Sequence, residues 1–286
     1  MKRSTRRTIN GRTAVISGAA SGIGRALAQR LSAHGCPVAI TDINESGLKE
    51  TEAGLSGPTL ARVLDVRDAD AQHVFAAEVA DWAPAPIGAV FNNAGVAVAS
   101  SVLDANPEDD NWLWDINFHG VVNGTRAFLP ILVKQNDGSI VNTSSVFGLA
   151  GMPHQSAYCA AKFAVRGFTD SLRQELRGTG VTAITVHPGG VNTNIVRNGR
   201  FRVTPDAPSH DEVVREFAKL AMTQPDKAAE VIHRGVERGK ARILVGPDAY
   251  VFDVLTRVSP TYYLDLLNLF QVPLRKRAQR RALETV

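Results

Sequence analysis

The chain has 286 residues, 44% hydrophobic and 21% charged, which supports a large folded core and excludes a disordered or low-complexity protein. The net charge is +4, but Lys2, Arg3, Arg6, Arg7 and Arg12 at one end and Arg275, Lys276, Arg277, Arg280 and Arg281 at the other more than account for it, so the body is mildly acidic. With no zinc-finger, RRM or KH pattern, this distribution argues against a nucleic-acid partner.

Two cysteines, Cys36 and Cys159, are too few for a disulfide framework and point to a reducing, cytoplasmic setting. The opening segment is basic without an apolar stretch behind it, so no secretory signal is expected. No apolar run reaches the ~20 residues of a membrane span. The seven histidines are scattered without paired ligand spacing, and no metal site is expected.

In chain order, apolar β-branched runs alternate with longer helical patterns. Strands are expected at 13–17 (TAVIS), 37–41, 59–64, 87–92 (IGAVFN), 139–144 (SIVNTS), 181–187 and 241–246. Helices are expected at 23–33, 68–82, 112–132, 157–177 and 226–238. Alternation at this spacing implies βαβ units and a parallel sheet with helices on both faces, a doubly wound α/β fold. The pattern reads as one domain with a core over 12–246. Residues 193–209, which hold Arg197, Asn198, Gly199, Arg200, Pro205 and Pro208, read as a long irregular loop, part of a lid spanning 194–224. Residues 249–270 read as two short helices broken at Pro260, the start of a C-terminal helical extension over 249–286.

The first strand runs into SGAASGIG, where Gly18, Gly22 and Gly24 open a helix. Glycines there let backbone N–H groups approach a pyrophosphate at the positive helix end. Asp42 closes the second strand, where a carboxylate can accept hydrogen bonds from both ribose hydroxyls and repel a 2′-phosphate; it could equally cap the following helix. Asp65 and Val66 follow the third strand, and Asn92, Asn93, Ala94 and Gly95 end the fourth. Strand C-termini line the ligand crevice of such a sheet, so an adenine and ribose belong here.

Within an otherwise ordinary helix stands YCAAK, placing Tyr158 and Lys162 on one face, one turn apart. Such a pair can be a capping phenol and a snorkelling lysine. It can also be a phenol made acidic by a neighbouring cation, a proton donor and acceptor. Ser145 lies 13 residues upstream, after the strand SIVNTS.

Taken together, Gly18-x₃-Gly22-x-Gly24, Asn92-Asn93-Ala94-Gly95, Asn117, Ser145, Tyr158-x₃-Lys162 and Pro188-Gly189 resemble the short-chain dehydrogenase/reductase family in order and spacing, from about Arg12 to Gly246. The resemblance implies a Rossmann-like fold with a seven-stranded parallel sheet and hydride transfer between a nicotinamide and a secondary alcohol or ketone. It implies Tyr158 as acid/base, Ser145 holding the substrate oxygen, Lys162 lowering the phenol pKa and holding the nicotinamide ribose, and Asn117 supporting a water in a proton relay. It assigns cofactor contacts to Gly18, Ser21, Gly22, Ile23, Gly24, Asp42, Asp65, Val66, Asn92, Ala94, Gly95, Tyr158, Lys162, Pro188, Gly189, Val191 and Thr193.

Asp42, followed by Ile43 and Asn44 rather than a cation, favours NAD; Arg25 is the nearest dissenting charge. The alternatives are an NADP-preferring carbonyl reductase and a non-catalytic dinucleotide sensor or scaffold, although a sensor has no need of an acid–base group. Val146, Phe147, His154, Gln155, Gly190 and Val191 are expected beside the substrate and suggest a moderately hydrophobic one. The apolar residues of 249–270 must cover something: a partner subunit first, since family members commonly form dimers or tetramers, then the pocket mouth, then a membrane surface. Trp112, Trp114 and Cys159 are expected to pack rather than react.

Overall fold

The computed structural model describes residues 8–201 and 210–266. Seven strands form one parallel sheet: β1 (Thr13–Ser17), β2 (Val38–Asp42), β3 (Thr59–Val63), β4 (Ile87–Asn92), β6 (Gly138–Thr143), β7 (Val181–Pro188) and β9 (Arg242–Val245). Their spatial order is β3-β2-β1-β4-β6-β7-β9. All seven expected strands are present, with ends shifted by a residue or two. The order reverses between β1 and β4, and it is outside the carboxyl ends of strands at such a switch point that a ligand crevice opens.

Alternate residues of each strand feed two cores. Ile16, Ile40, Phe91, Val141 and Ile184 pack against α1 (Gly22–Ala33) and α8 (Pro225–Glu237). Val15, Ala39, Val90, Ile140 and Ala183 meet α3 (Ala69–Trp82), α5 (Gly120–Gln135) and α6 (Ser156–Glu175) on the opposite face. Burial on both faces is why these strands read as near-continuous apolar runs.

Three elements depart from the expected pattern. A helix α2 (Glu45–Ala53) follows β2, and its N-cap is Asn44, whose side chain accepts the Gly47 N–H, not Asp42. The expected helix 112–132 is instead α4 (Pro107–Trp114), a π-helical turn (Asp115–His119) and α5. Such turns are rare inside helices and cluster at functional sites.

The segment 193–209, expected to be irregular, carries a short strand β8 (Arg200–Phe201), paired in parallel with β5 (Val98–Ala99). Its residues 202–209 lie outside the described ones, and a helix α7 (His210–Leu220) follows within the expected lid. The Arg200 guanidinium lies 3.8 Å from the Trp112 ring centroid and bonds Asp109 at 2.8 Å, so Trp112 clamps this segment. Both cysteines are buried and unpaired, as expected of packing residues.

After β9 the chain forms α9 (Pro247–Val258) and then a helical turn from Tyr263 to Leu266; the rest of the expected extension, with its basic run, lies outside the described residues. No helix among the described residues is long and apolar enough to cross a membrane.

Candidate active site

The loop from β1 to α1 is built for close approach. Gly18 and Gly22 have φ of +69° and +54°, in the left-handed region that glycine adopts without strain. A Cβ on Gly18 would sit 2.7 Å from the Ala94 Cα, and one on Gly24 only 2.0 Å from the Gly18 carbonyl oxygen. The Asn93 side chain donates to the Ser17 carbonyl, and the Ser17 hydroxyl accepts the N–H groups of Asn93 and Ala94, joining the first and fourth strand ends. Such a cradle, with free N–H groups at the start of α1, fits a dinucleotide pyrophosphate.

Asp42 reaches back to this loop. One carboxylate oxygen accepts the Ala20 N–H at 2.9 Å and the other the Asn44 N–H at 2.9 Å, which fixes the carboxylate at the crevice edge with lone pairs to spare. Arg25 is not a free cation: its guanidinium donates to Thr51 Oγ1, to the carbonyls of Ala20 and Gly47, and to Glu50 at 2.9 Å. Asp65 is bound by Arg67, which holds its carboxyl below the usual carboxylate range. The Val66 side chain packs over Gly120. Asn92 turns its carboxamide to Thr125 and Asn142 within the sheet, so it is the following Asn93–Gly95 backbone that borders the crevice.

The π-helical turn places Asn117 fully buried, its side chain bracketing the Val96 peptide: Oδ1 accepts the N–H and Nδ2 donates to the carbonyl, both at 2.9 Å. Gly95 is pinned between this side chain and the Lys162 ammonium, at 3.0 and 3.5 Å from where its Cβ would be.

Ser145 follows β6 and N-caps a 3₁₀ turn (Val146–Gly148), its Oγ accepting the Phe147 N–H. Tyr158 stands on the first turn of α6, its ring edge-on to Phe147, two residues beyond Ser145. Lys162, one turn on, is buried, donates to the Thr143 carbonyl at 3.1 Å and lies 5.7 Å from the Tyr158 ring centroid. Thus Ser145, Tyr158, Lys162 and, across Gly95, Asn117 come together as the sequence pattern implied.

Burial governs the electrostatics of Tyr158 and Lys162 in the protein alone. It pushes the Tyr158 phenol up to about 12, with the Ser145 side chain pulling the other way; the lowering expected from Lys162 was to act together with the charge of a bound nicotinamide. The same burial pushes the Lys162 ammonium down to about 8. Loss of water is the leading cause at both groups.

Past β7, the segment Pro188–Thr193 closes the crevice. Thr193 packs on Gly22, within 3.0 Å of the Cβ that Gly22 lacks, and Val191 is buried and bridged to Thr223. Asp248, in the first turn of α9, accepts the Gly190 N–H at 2.6 Å and fills the space where a Gly189 Cβ would be. Asp248 was not singled out from sequence: a helix start after Gly246-Pro247 is legible, but its partner 58 residues upstream is not.

His187 was also missed. It is fully buried, and its Nδ1 bonds the Ser145 carbonyl at 3.0 Å; a carbonyl only accepts, so Nδ1 carries the proton. The C-terminal extension reaches the same region: Phe252 meets Phe147 edge-on, Phe147 meets Tyr158 likewise, and the Tyr263 hydroxyl bonds both the N–H and the carbonyl of Gly151. These contacts bring Phe252 and Tyr263 against the segment between Ser145 and Tyr158; residues 267–270 lie outside the described ones.

A short chain dehydrogenase family model matches residues 12–202. The chain is 41% identical over 266 residues to a Mycobacterium tuberculosis protein named as an oxidoreductase, SadH, covering 91% of this chain and 95% of that one. Among solved structures it resembles a short chain dehydrogenase/reductase from Burkholderia phymatum in complex with NAD, with TM-score 0.79, 26% identity, and 88% and 94% of the two chains covered. It also resembles the closed form of a serine dehydrogenase complexed with NADP+, with TM-score 0.74, 27% identity, and 82% and 95% covered. The chain belongs to the short-chain dehydrogenase/reductase family of oxidoreductases.

Proposed function

We propose that this protein is an NAD-dependent dehydrogenase of moderately hydrophobic secondary alcohols, acting on the matching ketones in reverse. The observation that carries the reading is Tyr158 one helical turn from the buried Lys162, at the carboxyl end of the sheet beside the glycine loop. The Lys162 ammonium bonds the Thr143 carbonyl just before the buried Ser145 and lies against Gly95. The bound nicotinamide would accept the hydride of the alcohol carbon and, in its oxidised form, add a positive charge near the phenol.

Tyr158 takes the hydroxyl proton in oxidation and returns it in reduction. Ser145 holds the same oxygen with its hydroxyl, whose position is fixed by the Phe147 N–H. Lys162 has two duties: its ammonium favours the phenolate, and it binds the ribose nearest the reacting ring. The glycines Gly18, Gly22 and Gly24, with Ser21 and Ile23, receive the pyrophosphate. Asp42 takes the adenosine ribose, Asp65 and Val66 the adenine, Ala94 and Gly95 the middle of the cofactor, and Pro188, Gly189, Val191 and Thr193 the nicotinamide end. Asn117 fixes the Val96 peptide and so the floor beneath Gly95.

Asp42 carries the preference for NAD, because its fixed carboxylate would repel a 2′-phosphate and the guanidinium of Arg25 is already neutralised by Glu50. We also take the protein to be a cytoplasmic homodimer or homotetramer, with the exposed Tyr250, Val251, Val254 and Val258 of α9 available to a partner subunit. The test is NADH formation, followed by absorbance, over a panel of secondary alcohols with NAD and NADP in parallel. Appearance of NADPH in preference to NADH would overturn the cofactor assignment, and no reduced cofactor with any alcohol or oxidation with any ketone would overturn the activity.

A further inference from the structure

Next to the carboxylate of Asp42 lies a polar cavity of about 230 Å³, lined by Ala20, Ser21, Arg25, Asn44, Ser46, Gly47, Glu50, Asn194 and Asn198. Two of these, Ala20 and Asn44, donate their N–H groups to Asp42, so the cavity begins where that carboxylate ends. A ribose held by Asp42 therefore sets its 2′-oxygen at the cavity mouth. Apart from Arg25 and Glu50, the side chains lining it are neutral or small, and these two form an ion pair at 2.9 Å.

We propose that Glu50 is a specificity-determining residue: it excludes 2′-phosphorylated cofactors by neutralising Arg25 from below the cavity. The inference rests on the reading of the crevice as a dinucleotide site. Arg25 is held in place independently of Glu50, because Thr51 Oγ1 and the carbonyls of Ala20 and Gly47 also accept from it. Loss of the Glu50 charge would thus leave the guanidinium where it is and unmask its field. With Glu50, a 2′-phosphate would meet carboxylates on two sides, Asp42 and Glu50, and one cation already paired. Without it, the Ser21 hydroxyl and a guanidinium with no carboxylate partner would line the space a phosphate needs, a set suited to an anion. Glu50 is two-thirds exposed on the surface of α2, so its replacement by glutamine leaves the core untouched.

The experiment compares 5′-ADP with 2′,5′-ADP by titration calorimetry, so that no turnover is required. Glu50→Gln should raise affinity for 2′,5′-ADP roughly three- to tenfold, the scale of one partly exposed charge pair, and leave 5′-ADP within about twofold. The gain should shrink with added salt and vanish in the Glu50→Gln/Arg25→Gln double variant. An unchanged ratio in Glu50→Gln, or a gain that survives loss of Arg25, would overturn the proposal. The wild-type ratio tests the Asp42 assignment separately: a wild type preferring 2′,5′-ADP would remove the NAD preference while leaving the Glu50 effect to be read from the variants. If neither nucleotide binds any of these proteins, the dinucleotide reading itself fails and the proposal falls with it.

Discussion

Lys162 lies one helical turn from Tyr158 with its ammonium 5.7 Å from the phenol ring, and burial drives both groups away from their charged forms. With its phenol pushed up to about 12, Tyr158 is a proton donor over the neutral range. Ketone reduction needs that donor and alcohol oxidation needs its conjugate base. Oxidative kcat/KM should therefore climb as the pH is raised above neutrality, while reductive kcat/KM stays level and then falls on the alkaline side. Paired pH profiles in the two directions check this, and parallel profiles would speak against Tyr158 as the shared group.

Lys162→Met should separate stability from activity. In the unfolded chain the ammonium keeps its proton up to about 10.5, but in the native protein it releases it near 8. Between those values the unfolded state binds more protons, so wild-type stability rises with pH; below 8 the full cost of burying the charge is present. Methionine removes that cost and forfeits the bond to the Thr143 carbonyl. The net gain should be about 1–2 kcal/mol at pH 7, fading towards pH 10, with turnover lost. Denaturant melts of both proteins at neutral and alkaline pH provide the measurement.

The C-terminal extension should act on substrate rather than cofactor. The Tyr263 hydroxyl is bonded to both sides of Gly151, in the loop between Ser145 and Tyr158. Tyr263→Phe removes these bonds and keeps the ring. KM for the alcohol should rise about three- to tenfold, as expected for one or two lost hydrogen bonds, with the NADH dissociation constant unchanged. Equal losses in both would place the effect in the fold as a whole.

Much of this architecture was legible in the sequence because the signals are local. Strands buried on both faces are apolar along their whole length, and Gly18 and Gly24 are required by backbone contacts too tight for a Cβ. The grouping of Ser145, Tyr158 and Lys162 was implied by the resemblance of their motifs, in order and spacing, to the short-chain dehydrogenase/reductase family. Helix α2 was not legible because only Leu48 and a few small residues face the core, leaving no apolar stripe to recognise. The pairing of Asp248 with Gly190, of Tyr263 with Gly151 and of Glu50 with Arg25 depends on distant segments meeting in space. Periodicity carries no trace of such contacts. The desolvation that pushes the Tyr158 phenol up was hidden for a related reason: charge spacing is visible in a sequence, but the degree of burial is not.

The central claim is that Tyr158 moves the proton in a reaction whose cofactor is bound by other residues. The most direct measurement sets Tyr158→Phe beside the wild type, recording NADH binding by fluorescence and steady-state turnover with the best alcohol from the panel. The account predicts NADH affinity within about threefold and kcat lowered by roughly 10²–10⁴-fold, the usual worth of a positioned acid–base group. A variant that binds NADH normally and turns over at the wild-type rate would contradict it.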